Sequence, residues 1–400
     1  MFLRRLALAG ALLAGVLTAS VTPGAAVAEQ RANQVPAASA DAGGEGAYPK
    51  PSGQTAQLST PATACRDAIR QAVATQQYTA CVEPAAVSAG ALRAARDRIW
   101  QWPDWCDDHG VANTWFITRT NGCGVFGYEM KVLDSRGRTV GGIKYMSVGY
   151  EFSARDSKRW AYQVVHLEVR RWGDGTAGTK VQGKAKCKKK CKIANGSFPS
   201  QAMGANKEPY GQFFLDTTIN TARRGQQGSG RGIISWKLTN PQWGSTNPVE
   251  LSTSDVRCDT ALPGRTRQVG CINPGYIPEM VYAKSGEFPE LAEHIEYAQN
   301  VKNLPGKHGT TRYLERLTNT AKRDANRNKA CPTSRPRPTG KSCDEYPFAS
   351  TWQGAATGSG DYSWRMINAR QNSKGGTALN NFYTYNRIIE KDRFLVWIKP

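Results

Sequence analysis

The chain has 400 residues, 53 Lys+Arg against 32 Asp+Glu, a formal net charge of +21 at pH 7, and ten cysteines. That length exceeds what one core usually needs, so two or three folded units are expected. The charge points to polyanion partners such as nucleic acid, teichoic acid or an anionic surface. Beyond the N-terminal residues, no run reaches the roughly 18 apolar residues of a membrane span.

Arg4 and Arg5 precede an apolar run from Leu6 to Leu17, and Ala26-Val27-Ala28 has the small-x-small pattern of a cleavage site. Residues 1–28 therefore read as a secretory signal peptide and the chain as secreted and extracellular. Residues 29–60, rich in Ala, Gly, Ser, Pro and Gln, read as a disordered leader or pro-segment. Residues 61–113 read as a small helical, disulfide-linked segment, with an Ala-rich helix from Pro84 to Arg98. Asp107-Asp108-His109 within it lacks metal-ligand partners and reads as a polar turn. An even number of cysteines in an exported chain implies disulfides. Proximity suggests Cys65–Cys81, Cys106–Cys123, Cys187–Cys191, Cys258–Cys271 and Cys331–Cys343. The four histidines, His109, His166, His294 and His308, stand at no zinc-ligand spacing to a cysteine pair.

Residues 114–286 alternate in short β-prone runs separated by Gly, Asp and Asn turns, which predicts a β-rich antiparallel sandwich or barrel. His166 alternates within one such run and reads as structural. Lys180–Lys192 reads as a loop pinned by Cys187 and Cys191. Its Lys184, Lys186, Lys188, Lys189 and Lys190 are candidate phosphate contacts, with a merely solvated tip as the competing reading. Residues 287–330 read as a helical segment. Leu291, Ile295, Ala298 and Val301 form one apolar face, and Tyr313, Leu314, Leu317 and Ala321 another. A Pro-rich linker then opens residues 331–400.

The chemistry-bearing residues lie in those last residues. Cys343-Asp344-Glu345-Tyr346-Pro347-Phe348 places two adjacent carboxylates before an apolar run. On an extended segment neighbours point to opposite faces, so one of the two can face a site while the other turns away. Ser363 to Ala369 reads as a strand bearing Arg365, in a segment that Asn372 ends. Gly375-Gly376 reads as opening a helix from Thr377 to Ile388, with Asn381 nine residues after Asn372. No histidine follows His308, so this segment supplies no histidine base. Acids, amides and an arginine suit a hard cation held by oxygen ligands and water, as in a metal-dependent phosphodiesterase centre with a carboxylate base.

These residues, together with Ser342, Ala349-Ser350-Thr351 and Asn372-Ser373-Lys374-Gly375-Gly376, resemble the C-terminal domain of the secreted bacterial NucA/NucB-type deoxyribonucleases. The resemblance covers about residues 340–400. It implies a small α+β domain similar to the ββα-metal nucleases, with a carboxylate replacing the usual histidine base. It implies Asp344 as general base, Asn372 as metal ligand, Glu345 and Asn381 as supporting or water-mediated metal groups, and Arg365 on phosphate. A divalent cofactor, Mg2+ or Mn2+, and a DNA substrate follow from it. Arg370 and Lys374 are added as candidate nucleic-acid contacts. One departure is Arg370-Gln371, where a Ser-Asp pair is commoner. The expected protein is a monomeric, largely sequence-non-specific DNA endonuclease that contacts the DNA backbone and needs no obligate protein partner. The alternatives are a secreted polyanion-binding protein with an inactive nuclease-like domain, or a nuclease toxin.

Overall fold

The computed structural model describes residues 52–55, 57–59, 63–88, 90, 114–265 and 268–400. The expected signal peptide, most of the leader, most of the Ala-rich stretch, Asp107-Asp108-His109 and Cys106 lie outside the described residues. No helix among the described residues is long and apolar enough to cross a membrane.

Period-two runs of aromatic and β-branched residues build one 14-stranded antiparallel sheet, curled as a half-barrel. Its strands are β1 (Ser52–Thr55), β2 (Gln57–Ser59), β3 (Thr79–Pro84), β4 (Thr114–Ile117), β5 (Asn121–Leu133), β6 (Thr139–Phe152) and β7 (Arg159–Gly173), continuing with β8 (Lys180–Lys189), β9 (Cys191–Ala202), β10 (Tyr210–Thr217), β11 (Gln227–Asn240), β12 (Gly244–Ser245), β13 (Val249–Asp259) and β14 (Gly270–Ile272). They run in the order β1-β4-β5-β6-β7-β10-β9-β8-β11-β13-β14, with β12 on β11, β2 on β13 and β3 on β5. Trp115, Phe126, Tyr128, Tyr145, Trp160 and Trp236 lie in its main core. The helix α1 (Ala64–Thr75) is stapled to β3 by Cys65–Cys81. The pairings Cys187–Cys191, Cys258–Cys271 and Cys331–Cys343 are also present.

Two sequence expectations change here. The end of the expected leader is not structureless, because β1 and β2 pair with β4 and β13. Lys180–Lys192 is not a loop but the β8–β9 hairpin. Its alternation explains why: Val181 is fully buried, and Ala185 and Cys187 pack on the core, while the intervening Lys184, Lys186 and Lys188 are exposed. A period of two with lysine on one face makes a half-buried strand.

Two buried titratable groups in this sheet oppose each other. His166 is fully buried, takes a hydrogen bond with Ser147 through Nδ1 at 2.8 Å, and stacks on Phe198. Burial pushes its pKa down to about 3 from 6.5. Its stability contribution is present above the unfolded value of 6.5 and is lost as pH falls toward 3. Glu151, also fully buried, is pushed up by burial to about 7 from 4.5. Its contribution is present below 4.5 and is lost as pH rises through 7. Each is worth on the order of 3 kcal/mol across pH 4–7. Denaturant melts should therefore show His166→Phe gaining stability as pH falls from 7 to 4.5, and Glu151→Gln losing it. Parallel pH profiles for the two variants would refute the assignment.

A second core forms around the C-terminal third. Its elements are β15 (Glu279–Ala283), α2 (Pro289–Asn300), β16 (Leu314–Glu315), α3 (Thr320–Ala330), β17 (Lys341–Tyr346), β18 (Ser363–Asn368), α4 (Ala369–Tyr385) and β19 (Arg393–Lys399). β19 lies between a parallel β15 and an antiparallel β16, and β17 and β18 form a separate antiparallel pair. Met280, Tyr282, Leu291 and Ile295 share this core with Tyr346, Ile367, Leu379 and Phe394, so residues 279–330 pack with residues 331–400. The second expected helix begins later than its apolar spacing indicates. Leu314 instead enters β16, and Asn319 caps α3 by accepting from Lys322 N. The last helix begins earlier, directly after β18. Gly375 lies inside it because α4 approaches α2 closely: a Cβ there would come within 2.2 Å of Leu291 Cδ2.

The two cores are joined through buried charge. Arg387, fully buried after α4, donates to Asp259 Oδ1 at 2.6 Å and to the carbonyls of Arg155, Asp259 and Gln268. Asp392 accepts from Arg257 and from Arg119, whose Nε also reaches Asn386 O at 2.7 Å.

Candidate functional site

β17 carries both carboxylates, and its register to β18 sets Asp344 opposite Arg365, Glu345 opposite Trp364 and Tyr346 opposite Ser363. Adjacent residues alternate faces, so Asp344, Arg365, Tyr346 and Ser363 share one face. α2 packs there. His294 Nδ1 lies 2.6 Å from Asp344 Oδ2, and His294 Nε2 lies 2.9 Å from Ser363 Oγ. His294 is fully buried, and Asp344 is 6% exposed. Burial raises the pKa of Asp344, and the His294 hydrogen bond is the strongest influence holding it down. The Arg365 guanidinium lies over the Tyr297 ring, 5.2 Å from its centroid.

α4 closes the edge of this unit. Asn368 caps it by accepting from Arg370 N and Gln371 N at 3.0 and 3.2 Å. One turn in, Asn372 Nδ2 donates to Ser342 Oγ and Cys343 O, both at 3.0 Å. That commits its amide nitrogen to β17 and leaves the oxygen directed elsewhere. Gln371 Oε1 accepts from Glu290 N at the start of α2. Glu290 Oε2 in turn accepts from Lys341 Nζ and Asn368 N. The residue standing where an acid is commoner thus ties α4 to α2.

Glu345 lies on the other face. There it neighbours the Cys331–Cys343 disulfide, and the charge of Arg327 on α3 favours its ionised form. Burial first, and then the charge of Asp344, push its pKa up to about 7. The expected Asn372–Glu345 metal pair is therefore not assembled, because the strand alternation separates its members. Asn381 also departs from expectation. It is exposed, and nine residues along a helix is about two and a half turns, which puts it on the opposite side of α4 from Asn372. Lys374 is engaged by Glu287 at 2.6 Å, and Arg370 is exposed.

Residues 297–397 match the family model described as deoxyribonuclease NucA/NucB. The C-terminal region thus resembles the NucA/NucB-type deoxyribonucleases. Comparison with curated proteins and with solved structures gives no match. The NucA/NucB match begins within α2, after His294, and spans β17, β18 and α4. It makes a deoxyribonuclease-type hydrolase the coarse functional class of this region.

No group of three or more His, Cys, Asp or Glu side chains that could hold a metal occurs among the described residues. Asn372 is held beside β17 by its Nδ2 bonds to Ser342 Oγ and Cys343 O, which leaves its amide oxygen as a hard donor. A protein set this sparse suits a cation that keeps most of its water, such as Mg2+ or Mn2+, and not a closed cage.

His294 was invisible as a site residue in the sequence, since it stands 50 positions before Asp344. The available signal was a lone histidine between Leu291 and Ile295 on the apolar face of a predicted helix, a place where a polar ring needs a partner.

Proposed function

We propose that the protein is a secreted, divalent-metal-dependent DNA endonuclease that cuts with little regard to sequence. In this reading β17, β18 and α4 act as a ββα-metal-type unit. The support is the convergence of Asp344, Arg365 and Asn372 inside the span matched to a deoxyribonuclease family. Asn372, through its amide oxygen and with water, would hold the cation. When bound, that ion polarises the phosphoryl group and stabilises the leaving oxygen. Asp344 takes the proton from the attacking water. Its burial-raised pKa makes it a stronger base than a solvated carboxylate. Arg365, opposite Asp344 on β18, grips non-bridging phosphate oxygens.

The lysine hairpin supplies affinity. Lys184, Lys188 and Lys190 are exposed and have no ion pair among the described residues, whereas Lys186 and Lys189 lean on Glu250 and Asp255. Replacing Lys184, Lys186, Lys188 and Lys190 together by glutamine should lower the slope of log affinity against log salt by up to about 3.6. Fluorescence-anisotropy titrations across salt would measure it, and an unchanged slope would make the hairpin a solvated surface only.

Digestion of supercoiled plasmid by the purified mature chain tests the proposal. Cleavage in Mg2+ or Mn2+ that stops with chelator is expected. Intact plasmid in both metals, with DNA binding retained, would favour the polyanion-binding alternative.

A further inference from the structure

We propose that His294, which precedes the family-matched span, is a positioning residue that aims the Asp344 carboxylate at the attacking water. The inference rests on the nuclease reading above and adds a residue to it. A carboxylate turns easily about its terminal torsion, which is broad and roughly two-fold. The 2.6 Å contact from His294 Nδ1 removes that freedom by committing Oδ2. Whichever way the Ser363 hydroxyl turns, the ring nitrogen that faces an ionised carboxylate must be the donor. Such a charge-assisted bond is both short and strong.

The histidine is itself held from two sides. Its Nε2 meets Ser363 Oγ at 2.9 Å, so the ring bridges β17 and β18. Leu291 and Ile295, its neighbours on α2, are both in the second core. The ring cannot swing away without opening that core. In this proposal Oδ1 of Asp344, on the side away from His294, takes the proton. One turn further along α2, Tyr297 lies beneath Arg365. A single helix face therefore sets the base and the phosphate-gripping arginine, because residues three apart on a helix are neighbours.

A series of substitutions at position 294 separates positioning from simple structural support. His294→Asn puts an amide N–H close to where Nδ1 stands. His294→Gln puts it nearer Nε2, and His294→Ala removes it. In wild-type background conditions of metal and DNA, kcat should fall on the order of 10–100-fold in the Ala and Gln variants, the size seen when a partner that orients a functional side chain is removed. KM should change little, and Asn should recover most of kcat. Thermal melts of the same proteins give the structural comparison. If kcat follows melting temperature in all three, or if Ala cuts like wild type, positioning is overturned. For variants that do not fold, 15N spectra of histidine-labelled wild type decide: a protonated Nδ1 on His294 is expected, and an unprotonated one overturns the proposal. An inactive wild type overturns the nuclease reading and this inference with it. An active wild type with a flat position-294 series overturns this inference alone.

Discussion

Asp344→Asn is expected to cut DNA on the order of a thousandfold more slowly than wild type while binding it within a few-fold. The substitution keeps size and shape, and its amide oxygen can still accept from His294. The fold around β17 should therefore hold. What disappears is the basic oxygen, and a general base contributes roughly 10^2 to 10^4 in rate. Phosphate binding depends on Arg365 and on surface lysines, which the change leaves alone. Gel-shift titration beside a cleavage time course reads both quantities. Weak binding with an unchanged rate per bound complex would place Asp344 outside the chemistry.

Arg387→Ala should be the most destabilising single change outside the two cores' apolar residues. Both partners of the Arg387–Asp259 pair are fully buried. Removing the guanidinium takes the donor from three carbonyls and leaves Asp259 with only Ala261 N and the Arg257 guanidinium at 3.4 Å. Breaking a buried pair from one side costs roughly 3–5 kcal/mol, a large part of the 5–15 kcal/mol by which most proteins are stable. The double change Arg387→Met with Asp259→Leu should recover much of that loss, because apolar replacements remove the stranded charge as well. Urea denaturation of the three proteins measures it. A loss below about 1 kcal/mol for Arg387→Ala would mean that the junction is wetter than the structure indicates. The pair reaches from the loop after α4 to the end of β13, so the single variant should also loosen the nuclease-like unit from the sheet that carries the lysines.

The β-rich sheet was readable because alternation is a local property. Tyr162-Gln163-Val164-Val165-His166-Leu167 announces a strand in its own residues, and so does the β17 motif around Asp344. The lysine hairpin was misread because its charge hid an alternation with small residues, Gly183 and Ala185, that bury little surface. Leu314 and Leu317 fit a helical spacing equally well, and only pairing with Phe394 of β19 makes Leu314 part of a strand. Motif order singled out Asp344, Arg365 and Asn372 as candidates, and the resemblance named Asp344 over Glu345 as the base. Alternation alone says that the two faces differ but not which face receives α2. His294, Glu290 and Gln371 reach the site through tertiary packing alone. Asn381 looked plausible by counting residues, yet helical geometry turns it to the far side of α4.

The most direct test of the central claim is a side-by-side cleavage time course of Asp344→Asn and Glu345→Gln on supercoiled plasmid at saturating Mn2+. Plasmid left intact by Asp344→Asn and cut by Glu345→Gln at a rate near wild type is the predicted result. Cutting by Asp344→Asn with loss of activity in Glu345→Gln would contradict it and move the reactive site to the α3 face of β17.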